Sequence, residues 1–335
     1  MSTNILQQTG TRWLRSFVCL LLVWSGTGVP SGLSEEPIGS VVLESNELTE
    51  SSGVAHTGPM IWTHNDSGDV PRLFAFFKDG TLRGQFRVRG AQAIDWEDMC
   101  AFQRDGKRYL AVGDIGDNLA RRDSVRVYVI EVPEALLTEG LRLSRQPPSA
   151  VQSAQEASVA AGTPIAPLAL EAPPASTISE LTVQATFEIQ YPAGPVNCET
   201  LAYDPLSQSF LLATKELILC RLYRVPAQTL SGMQRVQAEF IGNLLLPLVT
   251  GGDISPDGKR LVLCTYGPGC LVQRDFDEHQ QAAGWQTQGG ATHVFALPQR
   301  RQGESIGFSE DGQRLWLTSE GVPTGLFNIP VPNPQ

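Results

Sequence analysis

Apolar and polar residues alternate in short runs from about residue 40 to residue 330, with Gly, Asp, Asn and Pro between the runs. A period of two in runs this short predicts β-strands joined by tight turns. One unit recurs. Arg104 to Leu110 reads RDGKRYL, Pro256 to Val262 reads PDGKRLV, and Glu310 to Trp316 reads EDGQRLW. Asp-Gly between apolar runs is a hairpin signal, because glycine accepts the positive φ that the turn requires. A short strand precedes each turn: Glu97 to Phe102, Thr250 to Ile254, and Glu304 to Phe308. Glu199 to Pro205 repeats the strand with a different turn, and Ser52 to Ala55 is a fifth copy.

Set in register, the copies begin at Ser52, Glu97, Glu199, Thr250 and Glu304, with gaps of 45, 102, 51 and 54 residues. A repeat of roughly 40–50 residues with several strands per copy predicts an all-β fold, a β-propeller. Counting strands gives five four-stranded blades, with six as the alternative if the long gap hides a degenerate blade. The last copy is one strand short. Ser40 to Glu44, ahead of the first copy, is the strand expected to complete it and cover its open edge. The long gap holds residues 146–178, rich in Pro, Ala and Ser, with Glu156 and Glu171 as its only charges. That composition predicts a surface or disordered insertion.

Residues 1–31 read as a signal peptide: Arg12 and Arg15, the apolar run Phe17 to Trp24, then Gly, Ser, Thr and Pro. The run is far shorter than the ~20 residues that cross a bilayer. Export to the periplasm or medium is the expectation, with residues 32–335 forming the propeller and no membrane span after cleavage. Losing Arg12 and Arg15 and no acid moves the net charge from −10 to −12. That balance, with no basic run, argues against nucleic acid or anionic membrane as partner and favours cations or ligands held through them. Five cysteines remain: Cys100, Cys198, Cys220, Cys264 and Cys270. Cys264 and Cys270 are spaced to bridge a hairpin, or all five are small buried side chains.

Up-and-down connectivity carries the start of each inner strand and the loop after each second strand to one mouth of the channel. The register residues Ser52, Glu97, Glu199, Thr250 and Glu304 all bear side-chain oxygen. Two residues earlier stand Glu50, Asp95, Asn197, Leu248 and Gln302. The converging loops are Thr63 to Asp69, Gly113 to Asn118, Thr214 to Glu216, Thr265 to Gly267, and Ser319 to Gly321. Acids crowded in this way persist with a bound cation, a retained proton or water. Calcium suits them, since it takes 6–8 oxygen ligands in loose geometry. The candidate metal ligands are Asp66, Asp95, Glu97, Asp114, Asp117, Glu199 and Glu304. Glu97, Glu199, Glu304 and His64 are the candidate catalytic groups. Trp96, Asn65, Asn118, Lys215 and Tyr266 are candidates for holding a ligand, Trp96 as a stacking platform. Each loop alone also reads as a solvated turn. Gly303 to Gly307 fits the GxSxG pattern, but a strand and hairpin follow in place of the helix a nucleophile elbow needs. No Walker loop, GxGxxG or HExxH is present.

The segments Trp62 to Asp69, Asp95 to Met99, Val112 to Asn118, Thr250 to Gly258 and Gln302 to Phe308 resemble a family of exported bacterial propeller-like proteins. More distantly the chain looks like phytase-type and lactonase-type propellers, a likeness of architecture. That resemblance implies a calcium-dependent hydrolase with an acidic channel mouth. Three functions follow as expectations: a monomer that binds a small polar molecule, sugar or peptide; a calcium-dependent hydrolase of a phosphoester, lactone or glycoside; or a propeller whose calcium is structural.

Overall fold

The structure, a computed structural model, describes residues 39–143, 179–279, 282–285 and 292–333. The signal-peptide reading of residues 1–31 and the insertion at about 146–178 fall outside them. The described residues form twenty-two strands and one helix in chain order. They are β1 (Gly39–Leu43), β2 (Ser51–Thr57), β3 (Met60–Asn65), β4 (Arg72–Phe77), β5 (Leu82–Arg89), β6 (Trp96–Arg104), β7 (Lys107–Asp114) and β8 (Val125–Glu131). The helix α1 (Glu134–Leu143) comes next, then β9 (Ser179–Gln190), β10 (Cys198–Asp204), β11 (Ser209–Thr214), β12 (Cys220–Pro226), β13 (Gly232–Gln237) and β14 (Glu239–Leu244). The remainder are β15 (Val249–Ile254), β16 (Arg260–Thr265), β17 (Gly269–Phe276), β18 (Ala282–Trp285), β19 (Thr292–Phe295), β20 (Gly307–Phe308), β21 (Arg314–Thr318) and β22 (Thr324–Pro330).

Hydrogen bonding sorts the described strands into antiparallel meanders, four of them four-stranded (β2-β3-β4-β5, β6-β7-β8-β9, β10-β11-β12-β14 and β20-β21-β22-β1) and one of five strands, β15-β16-β17 with β18 and β19 both on β17. The chain closes on itself through β1, which pairs with β22 from Gly39 opposite Asn328 to Leu43 opposite Thr324. This is the closing strand expected from the sequence, and it removes an open edge. The Asp-Gly turns place Gly106, Gly258 and Gly312 at φ of +74°, +73° and +67°, so the repeated dipeptide marks repeated hairpins.

The innermost strands touch in sequence, β2 on β6, β6 on β10, β10 on β15, β15 on β20, and β20 back on β2. The apolar faces follow the same circuit. Trp62 and Phe86 of the first meander pack with Trp96 and Met99 of the second. Phe102 and Tyr109 pack with Tyr203 and Phe210, Leu211 and Leu222 with Leu261 and Val272, Val262 and Leu271 with Leu315 and Ile329, and Trp316 and Leu326 with Ile61 and Phe74. Sheets packed face to face around a circuit of inner strands make a β-propeller. Each sheet buries both faces, which is why the inner strands carry near-continuous buried runs rather than alternation.

Three details depart from the strand reading. β9 is twelve residues long and also pairs in parallel with β5 of the first meander and with β13. The stretch Val236 to Leu244 divides, its first residues belonging to β13 on β9 and the rest to β14 on β12. The inner strand expected over Glu304 to Phe308 keeps only Gly307 and Phe308 in its ladder. Side chains replace the missing rungs. The Ser305 hydroxyl accepts the Thr318 N–H at 2.9 Å, and Arg300 Nη1 donates to the carbonyls of Ser305 and Thr318 at 2.9 and 3.0 Å. Among the described residues all five cysteines are buried and free, so Cys264 and Cys270 do not bridge. They belong to adjacent strands, one rung out of register with each other.

Candidate functional site: an acidic mouth built on bulges

Four of the five register residues stand where the inner strand breaks register with its neighbour. The pairing skips from Ser51 to Val54, from Trp96 to Asp98, from Cys198 to Thr200, and from Val249 to Gly251. Ser52, Glu97, Glu199 and Thr250 are thus bulged out of the ladder, and bulges re-aim side chains at sheet rims. The fifth, Glu304, lies just ahead of the shortened β20. A backbone clasp repeats around the same rim. The carbonyls of Glu50, Asp95, Asn197 and Gln302 accept the N–H groups of Asp66, Gly116, Lys215 and Glu320. Each clasp brings the loop after a second strand down onto the start of an inner strand. The convergence expected from connectivity is therefore present.

The side chains form two linked groups. Carboxylate oxygens of Asp66, Asp95 and Glu97 lie within 4.8 Å of one another, as do those of Asp66, Glu304 and Glu320. Asp66 is shared, so the two groups adjoin at that residue. Glu97 is 3% exposed, and no hydrogen-bond donor or cation among the described residues reaches its carboxylate. Burial pushes its pKa well above the ordinary carboxylate range, helped by Glu199, Asp66 and Asp95. Burial likewise raises Asp66 to about 7 and Glu320 to about 8, with Glu304 the largest charge acting on each. Gly116 makes the room: a Cβ there would fall 2.1 Å from Glu97 Oε1 and 2.6 Å from Asp95 Cγ.

A polar network borders the acids. Lys215 Nζ lies 3.0 Å from Glu199 Oε2 and donates to the Tyr266 hydroxyl at 2.9 Å. Tyr266 in turn donates to Glu304 Oε1 at 2.9 Å. Gln302 Nε2 donates to both Glu304 and Glu320, at 2.9 and 2.8 Å. Asn197 Nδ2 donates to Glu199 at 2.9 Å and reaches Asn118 at 3.4 Å. Lys215, Tyr266 and Asn118 thus border the mouth, as read from the sequence.

Several expected site residues do other work. Asp114 accepts the Asp95 N–H at 3.0 Å and is ion-paired with Arg122 at 2.9 Å, so it holds Asp95 in place and stands outside the acid groups. Asp117 accepts the Arg122 N–H, and its own N–H is taken by Asn197, which closes its loop. Glu199 is neutralised by Lys215 and joins neither close group. Trp96 is 1% exposed, with Nε1 donating to the Gln92 carbonyl at 2.7 Å, so it offers no face for stacking a sugar. His64 is fully buried one layer beneath the rim, edge-on to Trp96. Burial lowers its pKa to about 4, leaving it neutral and out of reach of a substrate. Asn65 spends its amide on Thr49, Glu50, Glu47 and Asp69. Ser305 of the GxSxG match is buried against Thr318. Glu320, which is not among the candidates read from the sequence, joins the second acid group. Its signal was positional, since it occupies the same clasped place after a second strand as Asp66.

Beneath the rim, the Asp98 carboxylate accepts the N–H groups of Met99, Leu201 and Gly252, tying β6 to β10 and β15. Asp253 accepts those of Ile254 and Phe308, tying β15 to β20. At the other end of these strands, a cavity of about 270 Å³ is lined by His56, Phe102, Tyr203, Asp253 and Phe308.

No protein-family profile and no curated protein matches the chain. Among solved structures it is similar to that titled "Structure of Dos1 propeller", with 9% identity and a TM-score of 0.33 over 83% of this chain and 68% of that one. It is also similar to a chain of "Crystal Structure of Mitotic Checkpoint Complex", with 12% identity and a TM-score of 0.35 over 84% of this chain and 62% of that one. The β-propeller class rests on the strand order and the closed circuit of inner strands. Among the described residues no helix is long and apolar enough to cross a membrane.

Proposed function

We propose that this chain is an exported binding protein whose acidic mouth takes a small polar ligand together with a calcium ion. The observation that carries the reading is Glu97: a carboxylate 3% exposed, without a donor, directed at Asp66 and Asp95. An unpaired buried carboxylate is costly, and a cation is the partner that repays it for several acids at once. The donors are all carboxylate oxygens, drawn from several segments of the rim, which suits a hard ion of loose geometry better than zinc. Asp66, Asp95, Glu97, Glu304 and Glu320 would hold the ion. Lys215, Tyr266, Asn118 and Gln302 would then orient the polar ligand beside it. Thermal unfolding in EDTA, then with calcium restored, tests this. A reversible rise in Tm with calcium is expected, and its absence in the unsubstituted protein sinks the reading.

A calcium-dependent hydrolase of a phosphoester, lactone or glycoside is the second reading, drawn from the architectural likeness to phytase-type and lactonase-type propellers. The raised pKa of Glu320 favours it, since a carboxyl protonated near neutrality can act as a general acid. Turnover of such a phosphoester, lactone or glycoside, lost in Glu320→Gln, would distinguish it from simple binding.

A further inference from the structure

Beside the mouth lies a feature that the acids do not explain. The loop after β11 exposes Leu217 (81%), Ile218 (69%) and Leu219, and the connection from β14 to β15 exposes Leu245 (80%) and Leu248. Cys220 pairs with Leu244, so the two segments leave the sheet side by side. The Leu248 N–H donates to the Glu216 carbonyl at 2.8 Å and joins them again. Single exposed aliphatic residues are ordinary; five on two adjoining loops form a ledge. In the run Leu244 to Leu248, Leu244 and Leu246 are buried while Leu245 and Leu248 face outward. Leu248 stands at the rim place that Glu50, Asp95, Asn197 and Gln302 fill in the other meanders, and it holds φ at +53°. A leucine in the left-handed region is uncommon, and such strain collects at functional sites.

We infer that this ledge docks a polypeptide segment carrying a large apolar side chain close to a lysine or arginine. The apolar half follows from the ledge alone. The basic half rests on the acidic-mouth reading. The charges within the ledge are already matched, Glu216 with Arg221 at 2.7 Å and Lys215 with Glu199 at 3.0 Å. Among the described residues no ion pair forms to Asp66, Glu97, Glu304 or Glu320 further into the mouth, and a basic side chain docked there would favour their ionised forms. A chain of net charge −10 and this rim repel anionic lipid, so charge complementarity selects a basic polypeptide over a membrane surface.

The test is selection of a phage-displayed linear dodecapeptide library on the full chain, followed by fluorescence anisotropy of an enriched peptide. Leu217 and Leu245 are solvent-facing, so the double variant Leu217→Ser with Leu245→Ser keeps the fold. Enriched peptides should carry Lys or Arg within a few positions of a large apolar residue. The double variant should bind them about tenfold or more weakly, the usual cost of removing a hot spot. Glu97→Gln should weaken binding by a smaller factor and lessen its salt dependence. Enriched peptides without basic residues, or binding unchanged in the double variant, overturn the inference. So does binding to phosphatidylcholine–phosphatidylglycerol vesicles that the double variant abolishes, or a dimer in sedimentation velocity that the double variant dissolves. The calcium-dependent Tm shift of the double variant separates the two readings. Peptide binding lost with that shift intact supports the ledge. Basic–apolar peptides bound by a chain with no calcium shift sink the calcium reading and leave the ledge standing.

Discussion

Glu97→Gln makes an unusual demand of a substitution in a binding site: the protein without calcium should become more stable. Glu97 has a carboxylate oxygen within 4.8 Å of carboxylate oxygens of Asp66 and Asp95. A fully ionised pair at that distance costs about 3 kcal/mol at an effective dielectric near 20. Part of that repulsion is already avoided, because burial raises the pKa of Glu97 and brings that of Asp66 to about 7, which favours their protonated forms. A gain of about 1–2 kcal/mol in EDTA is the reasonable scale, since glutamine is nearly isosteric and its amide can donate to the flanking carboxylates. Calcium acts the other way. At a hundredfold excess over Kd it stabilises the unsubstituted protein by about 2.7 kcal/mol, worth a few degrees in a domain of this size. Differential scanning calorimetry of both proteins, in EDTA and in calcium, gives four melting temperatures. Glu97→Gln should melt higher than the unsubstituted protein in EDTA and show no calcium response. A variant that melts lower in EDTA, or keeps the calcium shift, would refute the view of Glu97 as an uncompensated acid awaiting a cation.

Gly116→Ala should cost about 1–3 kcal/mol in denaturant unfolding, the usual range for overpacking, and should blunt the calcium response, because its Cβ would displace the Glu97 and Asp95 carboxylates. Ser305→Ala should lower stability by about 1–2 kcal/mol through the lost acceptor for the Thr318 N–H, while leaving calcium and peptide binding intact; abolished ester turnover would instead make Ser305 a nucleophile. Asp253 has its pKa raised to about 7 by burial, so the folded state binds a proton there that the unfolded state has released above about pH 4. Its contribution is therefore present below pH 4 and lost as pH rises toward 7, by up to about 1.4 kcal/mol per unit. Urea unfolding from pH 4 to 8 should show that decline, and Asp253→Asn should flatten it.

The fold was legible because a propeller writes its period into the chain. The Asp-Gly turns set the period, the strands around them set the alternation, and the orphan strand before the first copy had one edge left to cover. The register of Ser52, Glu97, Glu199, Thr250 and Glu304 was legible for the same reason, since repeated units put equivalent residues at equivalent heights. What the sequence could not carry was the difference between residues that share a loop. Asp66 and Asn65 are adjacent, yet one side chain turns into the mouth while the other knits backbone. Asp95 and Asp114 both stand in acidic turns, and an arginine eight residues after Asp114 in the chain, Arg122, decides that Asp114 is support. Trp96 and His64 read as chemistry because polar neighbours flank them, but strand pleat sends both into the packing between the first two meanders.

The bulges supply the link that neither the repeat nor the composition contained. An inner strand in perfect register would alternate its side chains between the two flanking sheets, and a glutamate so placed would be buried against Trp or Phe. Skipping one rung frees that residue from the alternation and turns it to the axis. The same skip at Ser52, Glu97, Glu199 and Thr250 raises one ring of side chains above a floor that Asp98 and Asp253 lace with backbone bonds. The rim can therefore change chemistry from blade to blade, from serine to glutamate to threonine, without disturbing the packing below it. The acids of the mouth are a choice the scaffold permits rather than one it requires, and that separation is why they call for a ligand as their explanation.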